Sequence, residues 1–289
     1  MQVARTRDDL RATRASLGTV GLVPTMGFLH DGHLSLVDVA RREHDAVVVS
    51  IFVNPTQFGP GEDLDSYPRD VDRDLTLLEK AGVDLAWVPD VEDVYPVGSC
   101  TRVRVEGPLT AVLEGASRPG HFDGVATVVT ILLGVVDPDA LVMGAKDAQQ
   151  VAVLRHVLRD LGIAVDLVVG PTWREQDGLA MSSRNVYLTP AERAAAPVLR
   201  RSLTTVERLY AAGERDAETL RSLVRRNVSA EPAGSLEYVS VADPVTLAEL
   251  ERVGPEGALV SLAAHFGRAR LLDNVTLPAA VTPPPSRVQ

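Results

Sequence analysis

The stretch that decides the fold of this chain reads Pro24-Thr25-Met26-Gly27-Phe28-Leu29-His30-Asp31-Gly32-His33. The apolar residues 19–23 before it predict a buried strand. An amphipathic pattern over residues 34–44 predicts a helix after it. A strand, a glycine-bearing turn and a helix N-terminus direct free backbone N–H groups and the positive end of the helix dipole toward one point. That arrangement binds phosphate.

Two imidazoles lie three residues apart in this turn. His30 and His33 add side-chain donors to the phosphate site, and Gly32 between them lets a backbone or a phosphate come close. The alternative is a turn whose histidines are merely solvated. The strand–turn–helix setting favours nucleotide phosphate binding.

Length and composition limit the classes of protein that fit. A chain of 289 residues suggests two domains, and 45% hydrophobic with 24% charged residues is typical of globular proteins. The net charge of −10 argues against nucleic acid as the main ligand, but it allows ATP, which needs only a few local cations. Cys100 is the single cysteine, which excludes a disulfide framework and a Cys-based metal site.

The sequence gives no sign of membrane insertion or export. The N-terminus lacks a signal-peptide apolar region, and no apolar run reaches the ~18 residues of a spanning helix. We therefore expect a cytoplasmic protein with no membrane partner.

Strand-like and helical segments alternate through the first part of the chain. This alternation predicts an α/β fold, with a Rossmann-like parallel sheet in a nucleotide-binding domain over residues 1–172. Ligands of such sheets gather beyond the carboxyl ends of the strands. The predicted strands are 46–53, 83–88, 140–143 and 163–169, and the predicted helices are a segment from Val71 to Gly82, 125–136 and 147–161.

The character of the chain changes beyond Pro171. Thr189-Pro190-Ala191-Glu192 has the form of a capping box, so a helix is predicted to begin there. A smaller α+β domain is predicted for residues 173–289, with a disordered tail over about 280–289. Its predicted helices are 191–212 and 216–228, and its predicted strands are 236–242 and 258–265.

Two more clusters have residue types suited to a nucleotide. In Gly144–Gln150, Lys146 can neutralise a phosphate, and Asp147 can either accept from ribose hydroxyls or simply cap the next helix. In Asp177–Asn185, two serine hydroxyls lie beside Arg184, whose guanidinium binds phosphate through two parallel hydrogen bonds. Alone, the second cluster could equally be an ordinary surface turn.

Two glutamines complete the candidates. Gln57 follows the second predicted strand, and Gln150 opens the helix after the Gly144 cluster. A neutral amide donates and accepts, which suits a ligand with hydroxyls and a carboxylate. The alternative for each is an amide exposed to water.

Taken together, these elements resemble the pantothenate synthetase family, the pantoate–β-alanine ligases of coenzyme A biosynthesis. The first and last motifs resemble the family's versions of the HIGH and KMSKS signatures of adenylate-forming synthetases. The motifs that carry the resemblance are Pro24–His33, Val53–Phe58, Asp65–Arg69, Arg118 with His121–Val125, Gly144–Gln150 and Asp177–Asn185.

The resemblance implies that ATP, as a substrate, adenylates the carboxylate of pantoate, and that β-alanine then displaces AMP. It implies Mg²⁺ held mainly by the ATP phosphates, and a homodimer. Gln57 and Gln150 are implied to bind pantoate, with β-alanine beside Gln57. The implied catalytic residues are His33 (the family's proton donor), His30 and Lys146. The implied ATP contacts are Met26, Gly27, His30, Gly32, His33, Gly144, Lys146, Asp147, Trp173, Met181, Ser182, Ser183 and Arg184.

The chain departs from the family pattern near the implied nucleotide. Ala145 stands where the family has an acidic residue, and Met143 and Ala148 stand where it has aromatic ones. Trp173 replaces a smaller apolar residue near the expected adenine edge. The alternative functions are a ligase that uses a different acid or amine, a nucleotidyltransferase with a similar histidine turn, and a catalytically silent nucleotide-binding protein.

Overall fold

The computed structural model describes residues 1–278; the predicted disordered tail lies outside the described residues. By its internal contacts the chain forms two compact units. The N-terminal unit comprises residues 1–174 and 181–183, and the C-terminal unit comprises residues 175–180 and the chain from Arg184 onward. No helix within residues 1–278 has both the length and the apolar content needed to cross a membrane.

The N-terminal unit is built on a six-stranded parallel sheet in the order β1-β4-β3-β2-β5-β6, which confirms the predicted α/β fold. The strands are β1 Gln2–Ala4, β2 Val20–Thr25, β3 Ala46–Ile51, β4 Leu85–Trp87, β5 Ala140–Gly144 and β6 Asp166–Gly170. The helices are α1 Arg7–Arg14, α2 Asp31–Glu43, α3 Val71–Lys80, α4 Val91–Val94, α5 Glu114–Ser117, α6 His121–Val136 and α7 Ala148–Asp160.

Helices cover both faces of this sheet, as the continuous apolar strands require. Neighbouring residues of β2 point into different cores: Leu22 packs in a cluster with α1, α6 and α7, whereas Val23 packs in a cluster with α2 and α3. All six residues of β3 are buried. The first strand and helix were not predicted, because β1 has three residues and α1 buries only Leu10, which leaves no apolar period to detect.

The strand order reverses direction at β2. The chain runs from β2 outward through β3 to β4, and then returns to place β5 on the other side of β2. The turns after β2 and β5 therefore open into one crevice, the point at which open parallel sheets bind ligands. Short 3₁₀ turns follow β3 (Pro55–Gln57) and β5 (Ala145–Asp147).

Up to residue 278, the C-terminal unit joins three α-helices to a three-stranded antiparallel sheet in the order β7-β8-β9. Its elements are α8 Pro190–Ala195, α9 Val198–Ala211, α10 Ala217–Ser229, β7 Gly234–Ala242, β8 Ala258–Phe266 and β9 Ala269–Leu277. The capping box is present, since Thr189 Oγ1 accepts from Glu192 N and the Glu192 carboxylate accepts from Thr189 N.

One helix prediction was wrong in this unit. Residues 191–212 form two helices rather than one, and the break falls at Ala196-Pro197. Proline has no N–H to donate, and its ring clashes with the carbonyl of the preceding turn, so a helix ends there. Strand β9 was not predicted; it pairs with β8 after a tight turn at Gly267.

A buried carboxylate on α3 holds the turn after β2. Gly27 and Phe28 both have left-handed backbone conformations, with φ of 80° and 49°. The Asp74 carboxylate accepts from Phe28 N and from Leu29 N, each at 2.7 Å. Asp74 is 0% exposed, and burial raises the pKa of its carboxyl group. Helix α3 thus fixes a backbone conformation that costs energy at a non-glycine residue.

We expect Asp74→Asn to lower the free energy of unfolding by about 1–3 kcal/mol, because an amide has a single acceptor oxygen and leaves one buried N–H without a partner. Asp72→Asn is the matched control, because Asp72 lies two positions before Asp74 on the same helix and is exposed. Its free energy of unfolding is expected to change by less than about 0.5 kcal/mol. Urea unfolding of both variants measures the difference. Equal midpoints would contradict the assigned role.

Candidate active site

The two histidines of the turn after β2 form one unit at the start of α2. His30 is the residue before the first helical position, and its ring stacks on the ring of His33 with centroids 4.0 Å apart. His33 Nδ1 accepts from His30 N at 3.3 Å. Neutral His33 therefore carries its proton on Nε2, where it can donate to a ligand.

Glycine at position 32 permits this stacking. A Cβ there would lie 2.9 Å from both Nδ1 and Cε1 of the His30 ring, closer than any side chain tolerates. His30 Nδ1 is buried and has no hydrogen-bond partner within the part of the chain that the structure describes. Buried polar atoms without a partner are rare in proteins, so this nitrogen is a candidate ligand contact.

Both histidines are neutral near pH 7. Burial, followed by the charge of Lys146, lowers the pKa of His30 to about 4. Burial, His30 and Lys146 together hold the pKa of His33 well below its usual value. Lys146 is thus close enough to influence both rings, which unites the clusters after β2 and β5. Lys146 and Arg73 both contribute cationic charge near His30, and the imidazoles contribute neutral donor and acceptor atoms.

The cluster after β5 is not an ordinary capped helix start. Gly144 ends β5 in an extended conformation, and Ala145, Lys146 and Asp147 form a 3₁₀ turn before α7. Asp147 occupies the residue before α7, but its side chain makes no capping hydrogen bond and is exposed. The capping interpretation of Asp147 is therefore wrong, and its carboxylate points to solvent.

Part of the serine-rich cluster packs on the histidine turn. Ser183 Oγ donates to Phe28 O at 3.2 Å, and Met181 N donates to Trp173 O at 3.0 Å. A Cβ at Gly32 would lie 3.5 Å from Trp173 Cβ, which places the 47%-exposed indole beside the turn. The N-terminal unit thus brings these residues together with the histidines.

The other residues of the Asp177–Asn185 cluster, 177–180 and 184–185, belong to the C-terminal unit. There the Arg193 guanidinium pairs with Glu175 and, at 2.6 Å, with Asp177, and it lowers the pKa of Asp177. Glu175 also accepts from Asn185 Nδ2 at 2.8 Å. These contacts fix both ends of the segment that includes Arg184.

The two glutamine candidates have different surroundings. Gln57 is buried: its Oε1 accepts from Asn54 Nδ2 at 3.0 Å, and its Nε2 donates to Met26 Sδ at 3.2 Å. Gln57 therefore touches the histidine turn. The Gln150 side chain is half-buried and makes no hydrogen bond to any residue between 1 and 278. Its amide is left for a ligand or water.

The side chain of the neighbouring Gln149 is fully engaged in binding the backbone of the segment 109–114. It is buried, donates to Leu109 O and Val112 O, and accepts from Glu114 N at 2.9 Å. The adjacent glutamines of this motif therefore differ in role, because consecutive residues of a helix face different sides.

Three site residues were assigned no role from the sequence. Asn54 is 1% exposed and binds both Gln57 and Gly124 O; Asp74 holds the histidine turn; and His121 donates to Gln57 O. Asn54 and His121 lie within motifs on which the family resemblance depends. The motifs alone do not say what these two side chains do. Asp74 stands among other acidic residues of α3, so nothing in the sequence singles it out.

The described side chains build no cage for a metal. No group of three or more His, Cys, Asp or Glu side chains within residues 1–278 could hold an ion. Asp74 is engaged with two backbone N–H groups. Any magnesium at this crevice would therefore depend mainly on oxygen ligands from a bound molecule and on water.

The arrangement offers several donors at one crevice and an amide beside it. Neutral imidazoles, a lysine, a serine loop and a helix N-terminus can stabilise charge that develops on a phosphate. Buried Gln57 can position a small polar molecule next to that phosphate. This combination suits transfer chemistry on a nucleotide.

Comparison with known proteins agrees with this chemistry. A model of the pantoate-beta-alanine ligase family matches residues 1–276. The chain is 56% identical over 277 residues to the pantothenate synthetase of Herpetosiphon aurantiacus, covering 96% of this chain and 100% of that protein. It is 57% identical over 274 residues to that of Chloroflexus aurantiacus, covering 95% and 97%.

Solved structures are similar over nearly the whole chain. Pantothenate synthetase from Thermus thermophilus superposes with a TM-score of 0.91 at 49% identity, covering 95% of this chain and 99% of that one. The pantoate-β-alanine ligase of Francisella tularensis, complexed with β-γ ATP and β-alanine, superposes with a TM-score of 0.79 at 34% identity, covering 96% of this chain and 97% of that one. The chain belongs to the pantoate–β-alanine ligase family.

Proposed function

We propose that this chain condenses (R)-pantoate with β-alanine to pantothenate through a pantoyl-adenylate intermediate, with ATP consumed and AMP and pyrophosphate released. One observation carries the proposal: the switch point of the sheet brings His30, His33 and Lys146 together, and Gln57 contacts the same turn through Met26. Donors for a phosphate and an amide for an acid thus lie at one crevice. The ATP and β-alanine named in the complex of the Francisella ligase support the same substrates.

In the first half-reaction, a pantoate carboxylate oxygen forms a bond to the α-phosphorus of ATP, and the bond from that phosphorus to pyrophosphate breaks. Negative charge grows on the α-phosphate oxygens and on the leaving pyrophosphate. In this proposal His33 Nε2–H and Lys146 stabilise that charge by donating to those oxygens. In this proposal the ATP phosphate oxygens and water would hold magnesium, which would offset part of the phosphate charge.

In the second half-reaction, the β-alanine nitrogen forms an amide bond to the pantoyl carbon, and the bond from that carbon to AMP breaks. The neutral amine loses one proton to solvent water as the amide forms, and AMP leaves with the electron pair of the broken bond. The Gln57 and Gln150 amides hold the pantoyl hydroxyls or carboxyl group through both steps, and β-alanine lies beside Gln57. The nucleotide contacts of this proposal are completed by Gly27, Gly144, Asp147, Trp173, Met181, Ser182, Ser183 and Arg184.

The proposed assembly is a homodimer. In the segment Thr101–Glu106, the residues from Arg102 to Glu106 alternate between exposed and half-buried positions, as in a strand, but the segment has no partner strand within residues 1–278. The segment is fastened through the Val103 backbone, whose N and O bond to Thr127 Oγ1 at 2.9 and 3.2 Å. A segment with this alternation and no partner strand supports pairing with a second copy of the chain. A cytoplasmic location stays a prediction of the sequence.

We expect His33→Ala to slow pyrophosphate release by ~10²–10³-fold, because it removes a positioned donor to developing charge. Lys146→Ala should have a comparable effect. The matched control is His44→Ala at the other end of α2, where a ring nitrogen bonds to Ala40 O of the same helix. The assay uses ATP, magnesium and pantoate with folded proteins. A His33→Ala rate equal to that of His44→Ala would contradict the role.

Gln57→Ala and Gln150→Ala should each weaken the use of pantoate by about 1–3 kcal/mol, roughly a 5- to 150-fold rise in the pantoate KM. Each substitution leaves a hydroxyl or carboxyl group of the bound pantoate without its hydrogen bond. The ATP KM should change much less. Pantoate titrations at saturating ATP, with the product identified, measure this. If neither variant weakens pantoate use, a different acid or amine becomes the better substrate; an adenylated product without AMP would indicate a nucleotidyltransferase.

Arg104→Pro should convert the dimer into a monomer, because proline removes the backbone N–H at the middle of the Thr101–Glu106 segment. Arg104→Ala loses the same side chain but keeps that N–H, so it should remain dimeric. Sedimentation velocity at micromolar concentration compares the two. A monomeric parent protein, or two variants with the same mass, would contradict the proposed interface.

A further inference from the structure

The 3₁₀ turn that carries Gln57 is fastened to the start of α6. The backbone carbonyl of Gln57 accepts from His121 Nδ1 at 2.9 Å. Gly124, one turn farther along α6, lies directly against the same turn: a Cβ there would be 2.5 Å from Thr56 O and 2.6 Å from Gln57 N. No side chain separates the helix from the turn, so any shift of α6 is transmitted to Gln57.

The protonation of His121 is fixed by its other neighbour. Its Nε2 lies 3.1 Å from Arg118 Nη1, and a guanidinium can only donate, so Nε2 accepts and Nδ1 carries the proton. Arg118 is itself held by a forked pair with Glu62, at 2.6 and 3.0 Å. Burial and the charge of Arg118 lower the pKa of His121 to about 4, so the ring is neutral near pH 7.

The side chain of Gln57 depends on the same helix. Asn54 Nδ2 donates both to Gln57 Oε1 at 3.0 Å and to Gly124 O at 3.2 Å. The α6 backbone thus braces the Gln57 amide through Asn54, while His121 holds the Gln57 main chain. Two independent hydrogen bonds set the position from which the amide meets a ligand.

We propose that His121 is a positioning residue for the acid pocket, holding the Gln57 backbone at the distance from which its amide binds pantoate. This inference rests on the proposed function, in which Gln57 binds pantoate. His121 acts through the Gln57 carbonyl and makes no contact with the reacting atoms in this role. A mere packing role would be met equally well by an apolar side chain of the same size, which gives a direct test.

The test compares His121→Asn with His121→Leu, two side chains of the same branching. Asn Nδ2 occupies the place of His Nδ1 and can still donate to Gln57 O, whereas Leu cannot. We expect His121→Leu to raise the pantoate KM about 5- to 10-fold, and His121→Asn to stay within about twofold of the parent. The ATP KM should stay within about twofold in both variants.

The matched control is His156→Leu on α7, where a ring nitrogen makes a similar 2.9 Å bond to a backbone carbonyl, that of Ala152. Its pantoate KM should not change. Gly124→Ala disturbs the same turn independently, since its methyl group displaces Thr56 and Gln57. It should also raise the pantoate KM more than the ATP KM. This variant decides the matter if His121→Leu does not fold.

Gln57→Ala is titrated in parallel, which separates this inference from the proposed function. If Gln57→Ala leaves the pantoate KM unchanged, the assignment of the acid pocket fails first. If Gln57→Ala raises it but His121→Leu does not, the positioning role of His121 is overturned. The role is also overturned if His121→Asn is as impaired as His121→Leu, or if Gly124→Ala affects ATP and pantoate equally.

Discussion

The geometry of the candidate site depends on one buried carboxylate. Asp74 accepts from two successive backbone N–H groups, those of Phe28 and Leu29, and so holds a left-handed backbone at a residue that is not glycine. This turn determines where α2 begins, and with it the directions of His30 and His33. Burying a carboxylate costs free energy, as the raised pKa of Asp74 indicates. The two short hydrogen bonds from backbone N–H groups offset part of that cost. The strand alone would not aim the histidines.

Burial also limits the charge that the cluster of His30, His33 and Lys146 can carry. Two stacked imidazoles next to Lys146 could not all be charged, since like charges disfavour one another in a buried place. The lowered pKa values of His30 and His33 resolve this conflict by keeping the rings neutral. A neutral His33 has its donor hydrogen fixed on Nε2 by the bond that Nδ1 accepts, so the site is organised before a nucleotide arrives.

The sequence predicted what depends on periodicity and local chemistry. The apolar run of β3, the turn and helix after β2, and the capping box at Thr189 all follow from patterns of neighbouring residues. Contacts between distant segments could not be predicted this way. Asp74 lies 45 residues from Leu29, and His121 lies 64 residues from Gln57. The sequence offers many acidic and polar residues at such separations, and only the tertiary fold selects the pair.

Two departures from the family pattern, Ala145 and Trp173, lie close to the candidate site. Ala145 lies in the 3₁₀ turn after β5. In the proposed function this turn offers its backbone N–H groups and Lys146 to a phosphate, and neither needs an acidic neighbour. Trp173 adds a half-exposed aromatic surface next to Gly32, where a smaller residue would leave the turn open to water. Both changes therefore alter the surroundings of the proposed nucleotide site, while the two histidines and Lys146 are unchanged.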